Sequence, residues 1–373
     1  MSDLTSLFFY GTLRYAPLLE AVLGRAVAVQ SAEIKGHAVR QVAGEPFPIL
    51  VKAPDAVAEG VLAPGLSAED RARLDYYEGP YHYTLTDVVV ETEGGRLPAQ
   101  VYRPGDGLWQ AGDVWDLADW AQRLGPASAR AAVEFMGGYG SVSPKDAARR
   151  YPQMLMRASS ALRAEATPAP TTLRHDAEGA AIDMITQRRP HTGYFSVSMD
   201  DLRFPRFDGG MSEVITREAF LMADATTVVP YDPVRDRVLL IEQYRYGVHM
   251  RGDPHPWCLE PIAGRIDPGE TPEQAIRREA VEEAGLTLGT LHPCGNSYPS
   301  PGAVSEYLYS FVGIADLPDD AAGLGGLATE QEDIRAHVIP FERLMEMTRT
   351  GEVATTPLLM TAYWLALNRA ALA

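Results

Sequence analysis

The sequence predicts a multidomain protein of mixed α/β and α+β class. It opens on a compact β-rich domain, continues through a helical connector, and ends in an α+β or α/β sandwich. Three observations lead there. Short β-rich runs alternate with turns over the first third, a helix-spaced stretch rich in Trp and Ala follows Pro104, and strands with flanking helices return from Gly193. At 373 residues and 46% hydrophobic composition, the chain has length and apolar material for two or three cores.

Taken in order, the β-rich runs lie at residues 7–10, 47–52, 60–63, 84–92 and 99–102. Helical spacing follows at 114–124, 128–136 and 144–164, interrupted by Gly125-Pro126 and by the glycines of 137–140. The segment Ala166-Thr-Pro-Ala-Pro-Thr-Thr172 has the composition of an extended linker. The expected division is therefore 1–110, a connector and linker over 111–180, and 181–373. Strands are expected at 194–199, 213–220, 226–230 and 238–243, with Asp232-Pro-Val-Arg-Asp236 turning between the last two. A helix, a strand pair around 305–313 and helices from Phe341 complete the second domain.

Lys and Arg total 33 against 50 Asp and Glu, a net charge of −17, which argues against nucleic-acid or acidic-membrane partners. An anionic substrate must then be met by local arginines or a metal. Two cysteines, Cys258 and Cys294, make no disulfide framework. Residues 1–9 lack the basic flank and apolar run of a signal peptide, and no later run reaches membrane-spanning length, so the expectation is a soluble cytoplasmic protein.

The densest chemistry lies at residues 264–286. Thr271 is placed to cap a helix beginning at Pro272, Gln274 completes a capping box, and Gly285 supplies the stop. Inside it Glu279, Glu282 and Glu283 recur at i, i+3 and i+4 and share one face. Like charges so crowded are unfavourable unless cations compensate, and a hard divalent ion would turn that repulsion into a site for diphosphate. Glu270 adds a carboxylate, and Arg278 is placed to brace it or a neighbouring acid. By composition alone, a solvated surface helix reads the same way.

What separates the two readings is the spacing of Gly264, Glu270, Arg278-Glu279, Glu282-Glu283 and Gly285-Leu286, which resembles the Nudix box at every Gly, Glu and Arg position. Arg217 in Ile215-Thr-Arg-Glu218, Ile241-Glu-Gln-Tyr-Arg245, Glu260-Pro-Ile-Ala-Gly264, Tyr298-Pro-Ser-Pro-Gly302 and Glu330-Gln-Glu-Asp-Ile-Arg335 extend the likeness over about 189–367, toward the ADP-ribose and ADP-sugar pyrophosphatases. The resemblance implies an α/β/α sandwich that cleaves a nucleoside diphosphate sugar to AMP and a sugar phosphate, with Mg²⁺ or Mn²⁺. It further implies that the Ala263 carbonyl, Glu270, Glu279 and Glu283 hold metal, that Glu282 assists, and that Glu330 or Glu332 activates water. Arg217, Arg245 and Ser300 would bind substrate. Tyr194 and Phe195 fit either adenine stacking or a plain apolar strand. Related enzymes imply a homodimer exchanging residues 193–207.

In the first domain, Phe8-Phe-Tyr-Gly-Thr-Leu13 is an apolar strand running into a glycine turn suited to an anion. With Gly60-Val-Leu-Ala-Pro, Leu74-Asp-Tyr-Tyr-Glu78-Gly79, Tyr81 and Tyr83, it resembles the γ-glutamylcyclotransferase-like, barrel-type domain over about 7–103. That likeness implies that Tyr10, Gly11, Thr12 and Leu13 bind a glutamyl carboxylate and that Glu78 is the acid/base group; Glu78 also fits a turn cap. The chain lacks the basic residue that follows Tyr83 in such domains and has Thr84 and Leu85 instead. The domain pairing resembles bacterial proteins linked to tellurite resistance. Beside the hydrolase reading stand two others, a cyclotransferase and a metabolite-sensing module.

Overall fold

The computed structural model describes residues 5–105, 107–175, 178–327 and 332–372. It divides into two compact units, Met1–Ala169 and Pro170–Ala373. The first runs β1 (Thr5–Phe9), α1 (Ala16–Leu23), β2 (Gln30–Val42), β3 (Pro48–Leu66), α2 (Ala68–Glu78), β4 (Tyr83–Thr92), β5 (Gly95–Pro104), β6 (Ala111–Val114), α3 (Leu117–Arg123), α4 (Gly125–Met136) and α5 (Pro144–Ala166). The strand order is β3-β1-β5-β4-β2, and β2 pairs back onto β3, so the sheet closes as a five-stranded barrel with β6 attached to β2.

Strand alternation sets the two sides of that barrel. Phe8 and Tyr10 point inward with Ile34, Leu50, Leu62, Val90 and Val101. Leu7 and Phe9 point outward to helix residues such as Leu18, Leu74, Phe135 and Met154. A Cβ on Gly60 would lie 2.3 Å from the Phe8 ring, so this glycine makes room for the inner core. The helices expected as a connector share the outer core of the first unit through Trp120, Phe135 and Met154. Residue 114, expected to open a helix, ends β6 instead. The helix starts at Leu117 because the Asp116 carboxylate accepts from the Ala118 and Asp119 N–H groups at 2.8 and 3.1 Å.

The second unit runs β7 (Asp183–Thr192), β8 (Ser196–Arg203), β9 (Ile215–Leu221), β10 (Ala225–Asp232), β11 (Arg237–Tyr244), α6 (Tyr246–Met250), β12 (Trp257–Glu260), β13 (Ile262–Arg265), α7 (Pro272–Ala284), β14 (Leu291–Ser297), β15 (Leu308–Ile314), β16 (Gly323–Gly325), β17 (Ile334–Pro340), α8 (Phe341–Thr350) and α9 (Thr356–Leu372). Its mixed sheet has the order β14-β15-β10-β11-β17-β16, with β12 on β11 and β13 on β10. Successive sheet residues face opposite layers. Val228 and Leu239 join Ile276 and Ala280 of α7 on one side, while Val229 and Leu240 join Leu344 of α8 and Leu358 of α9 on the other. This is the α/β/α sandwich. β7, β8 and β9 form a separate antiparallel sheet, and Tyr194 and Phe195 lie exposed in the turn ahead of β8. Among the described residues no helix is long and apolar enough to cross a membrane.

Candidate active site

Helix α7 begins as its sequence dictates. Thr271 accepts from the Gln274 N–H at 3.2 Å while the Gln274 side chain accepts from the Thr271 N–H at 2.9 Å, and Gly285 ends the helix at φ 63°. The helix lies over β13, whose Ala263 and Gly264 pair with Thr227 and Thr226 of β10. A Cβ on Gly264 would stand 1.8 Å from Glu279 Oε1, so the carboxylate rests on bare main chain. One turn on, buried Glu283 accepts from the Ala263 N–H at 3.1 Å.

Arg278 ties the remaining acids together. Its Nε and Nη2 donate to Glu270 at 3.1 and 3.0 Å, its Nη1 to Glu279 at 2.8 Å and Glu282 at 3.1 Å, and Nη2 also to the Arg265 carbonyl at 3.1 Å. This one cation does not balance the cluster. Burial pushes the Glu279 carboxyl up to about 7, with Glu282 and Glu332 adding repulsion against the pull of Arg278. Burial pushes Glu283 up to about 8, with Glu279 and Glu332 adding repulsion against the Ala263 N–H.

Glu332 reaches this cluster because β16 is seated on the last turn of α7. A Cβ on Gly325 would lie 1.9 Å from the Glu283 carbonyl, and the Gly326 N–H donates to the Glu282 carbonyl at 3.4 Å. The Leu327 N–H then donates to the Glu332 carboxylate at 3.3 Å. Glu330, the alternative base, lies outside the described residues. No three His, Cys, Asp or Glu side chains converge in a metal-holding arrangement among the described residues; Glu279 and Glu282 face Arg278, and Glu283 faces the Ala263 N–H. The donor set nonetheless suits a hard divalent cation, since it is made of carboxylates whose shared repulsion burial magnifies.

Arg245 holds an ion pair with Glu260, Nη2 to Oε2 2.6 Å, and its charge also reaches Glu283. Glu260 orients Arg245, a role that its place in the Glu260-Pro-Ile-Ala-Gly264 motif does not signal. Arg217 is exposed on β9 with Nη1 donating to the Thr216 carbonyl at 3.1 Å. Ser300 is exposed too, and its carbonyl accepts from the Ala303 and Val304 N–H groups at 3.0 Å. Neither makes a hydrogen bond or ion pair with the α7 acids among the described residues.

The first unit gathers a second cluster. Tyr10 follows β1 and points into the inner core, and Gly11 leads into a tight turn in which the Arg14 and Tyr15 N–H groups donate to the Gly11 and Thr12 carbonyls at 3.0 Å. Leu13 anchors the turn in the outer core, and a Cβ on Gly11 would stand 2.8 Å from Pro48 Cγ. Glu78 is the last residue of α2 and makes no capping hydrogen bond. Burial pushes its carboxyl up to about 7. Tyr10, Tyr81, Tyr83 and Tyr102 stand close enough to feel its charge, and the Tyr83 hydroxyl donates to the Pro48 carbonyl at 3.3 Å.

Comparison with known proteins covers both units. Residues 222–358 match the family model described as NUDIX domain, and residues 7–122 match the one described as gamma-glutamyl cyclotransferase, AIG2-like. The ADP-ribose pyrophosphatase of Escherichia coli (strain K12) is 38% identical over 191 residues, 51% of this chain and 90% of that protein. The ADP-ribose pyrophosphatase of Haemophilus influenzae is 36% identical over 193 residues, 51% and 88% of the two chains. A GDP-mannose pyrophosphatase of Enterobacter sp. is 36% identical over 137 residues, 37% and 70%. With the box residues assembled on α7 and β13 and likeness spanning 90% of the Escherichia coli relative, the chain belongs to the Nudix hydrolases, enzymes of diphosphate bonds, and carries an AIG2-like γ-glutamylcyclotransferase domain ahead of that unit.

Proposed function

We propose that the second unit is a Mg²⁺-dependent pyrophosphohydrolase that cleaves ADP-ribose, or a related nucleoside diphosphate sugar, to AMP and a sugar phosphate. The observation that carries this reading is the pair Glu279 and Glu283, pressed on β13 beside Glu332, where a cation would relieve their repulsion. Nudix hydrolases generally act with divalent metals, and an all-oxygen donor set favours Mg²⁺, with Mn²⁺ as substitute. The Ala263 carbonyl, Glu270, Glu279 and Glu283 would hold the metal. When bound it supplies charge neutralisation at the non-bridging oxygens and Lewis acidity toward water.

The protein's own groups supply the rest. Arg278 keeps Glu270, Glu279 and Glu282 oriented. Glu332, or Glu330, takes the proton from the attacking water. Arg245, steadied by Glu260, grips the diphosphate or ribose, with Arg217 and Ser300 as further substrate contacts. Adenine over guanine is favoured because the relative named for ADP-ribose aligns at 38% over 191 residues and the one named for GDP-mannose at 36% over 137. A homodimer through residues 193–207 is supported by the exposed Tyr194, Phe195, Phe204 and Phe207. The test is AMP release from ADP-ribose and GMP release from GDP-mannose, with Mg²⁺ present. Glu283→Gln is expected to lower turnover at least about a hundredfold while the chain stays folded; undiminished turnover would refute the assignment.

A second reading is favoured by Glu78 in its ring of tyrosines, with a carboxyl poised near neutrality. In a γ-glutamyl amide the free amine attacks the γ-carbonyl carbon, the ring C–N bond forms and the amide C–N bond breaks. Glu78 carries the proton from the attacking to the leaving amine, releasing 5-oxoproline. The turn of Tyr10, Gly11, Thr12 and Leu13 would meet the substrate's glutamyl portion. Loss of 5-oxoproline release in Glu78→Gln is the expected result, and unchanged release would move the site elsewhere.

A further inference from the structure

We infer that Arg103 is a further recognition residue of the first unit, acting beside the turn of Tyr10 to Leu13, and that through it the barrel mouth selects a small amino-acid-like molecule with a free carboxylate. The inference deepens the γ-glutamyl reading and rests on it. A basic residue is missing after Tyr83, yet the antiparallel register sets Thr84 directly opposite Arg103. On β5 Arg103 continues the two-residue period of Ala99 and Val101, which line the inner core; Val88 and Val90 put Thr84 on the same face of β4. The guanidinium therefore ends the inner face at the mouth of the barrel, close enough to Tyr10 for its charge to act on that phenol.

Arg103 is half-buried, and among the described residues its guanidinium has neither an ion pair nor a hydrogen bond. Two acids on the adjoining α2 and β4 are engaged elsewhere. Asp75 accepts from the Tyr102 hydroxyl at 2.6 Å, and Asp87 accepts from Gln100 at 2.9 Å. Glu78 owes its raised carboxyl to burial and forms no pair with the arginine. Tyr10 thus feels both the proton-transfer group Glu78 and the charge of Arg103, a cation with no acid partner among the described residues. Such a cation is stabilised by an incoming anion, and a guanidinium fits a carboxylate with two parallel N–H···O bonds. On the Glu78 side, Tyr81 packs on Phe47 and Phe47 on Trp109, with ring centroids 6.3 and 5.3 Å apart, a wall suited to the uncharged end of such a molecule.

The test titrates the full chain with γ-glutamylmethylamide and with the same compound carrying its α-carboxylate as an amide, and follows 5-oxoproline release in parallel. The wild type is expected to prefer the carboxylate form by about tenfold to a hundredfold. Arg103→Gln should erase that preference, Arg103→Lys should restore part of it, and Glu78→Gln should keep it. An intact preference in Arg103→Gln, or none in the wild type, overturns the inference. Carboxylate-selective binding without any 5-oxoproline release sinks the cyclotransferase reading and leaves Arg103 in place. Release with an unchanged KM in Arg103→Gln does the reverse.

Discussion

Replacing Glu78 by Gln should stabilise the first unit at alkaline pH while ending its chemistry. The carboxyl is raised from 4.5 to about 7 by burial, and at about 1.4 kcal/mol per pH unit such a shift amounts to roughly 3 kcal/mol. In the unfolded chain Glu78 ionises near 4.5, whereas the folded chain keeps the proton to about 7. The folded state therefore binds more protons in that window. The group's contribution is fully present below about 4.5, is lost as pH rises through about 7, and then levels off. Gln cannot ionise, so the variant skips this loss. Because Glu78 is only half-buried, solvent trims the gain to about 1–3 kcal/mol at pH 8, with none at pH 4. Two compact units need not unfold together, so the assay is hydrogen exchange of the β1, β3 and β5 amides across pH 4 to 8. Parallel pH dependences in wild type and variant would refute the burial argument.

Three further outcomes follow from close contacts and from the separation of the two chemistries. Gly264→Ala drives a methyl group into the Glu279 carboxylate; diphosphate hydrolysis should fall at least about a hundredfold with circular dichroism unchanged, and full activity would mean that Glu279 does not work from this position. Gly60→Ala collides with the Phe8 ring and the Phe9 carbonyl and should lower the stability of the barrel by roughly 1–3 kcal/mol in urea titrations, an expectation that an unmoved midpoint would refute. A chelator should abolish diphosphate hydrolysis and leave 5-oxoproline release untouched; loss of both together would contradict two independent sites.

Features written in local chemistry were legible from the sequence. The Thr271 and Gln274 cap and the Gly285 stop depend on neighbours within a few residues, and both stand where their spacing puts them; the three glutamates lie on α7 as expected but turn to different partners, Glu279 and Glu282 to Arg278 and Glu283 to the Ala263 N–H. The closed barrel was not legible. β2 is half-exposed along most of its length, and the 19-residue β3 reads locally as two short runs, because its course is set by pairing with β1 and β2. Arg103 was invisible for a related reason. Only the register of β4 on β5 puts it opposite Thr84. β7 offered no burial signal, since nearly all of it is exposed. Arg217 sits on the separate three-stranded sheet, and sequence order carries no information about its distance from α7.

The seating of β16 has a consequence for how such an enzyme can diversify. Gly325 leaves no gap against the Glu283 carbonyl, so the strand and the helix end behave as one rigid mount that carries Glu282 and Glu283. A side chain at Gly325 would pry the mount apart, so changes of substrate should accumulate in loops away from this glycine while its footing stays fixed.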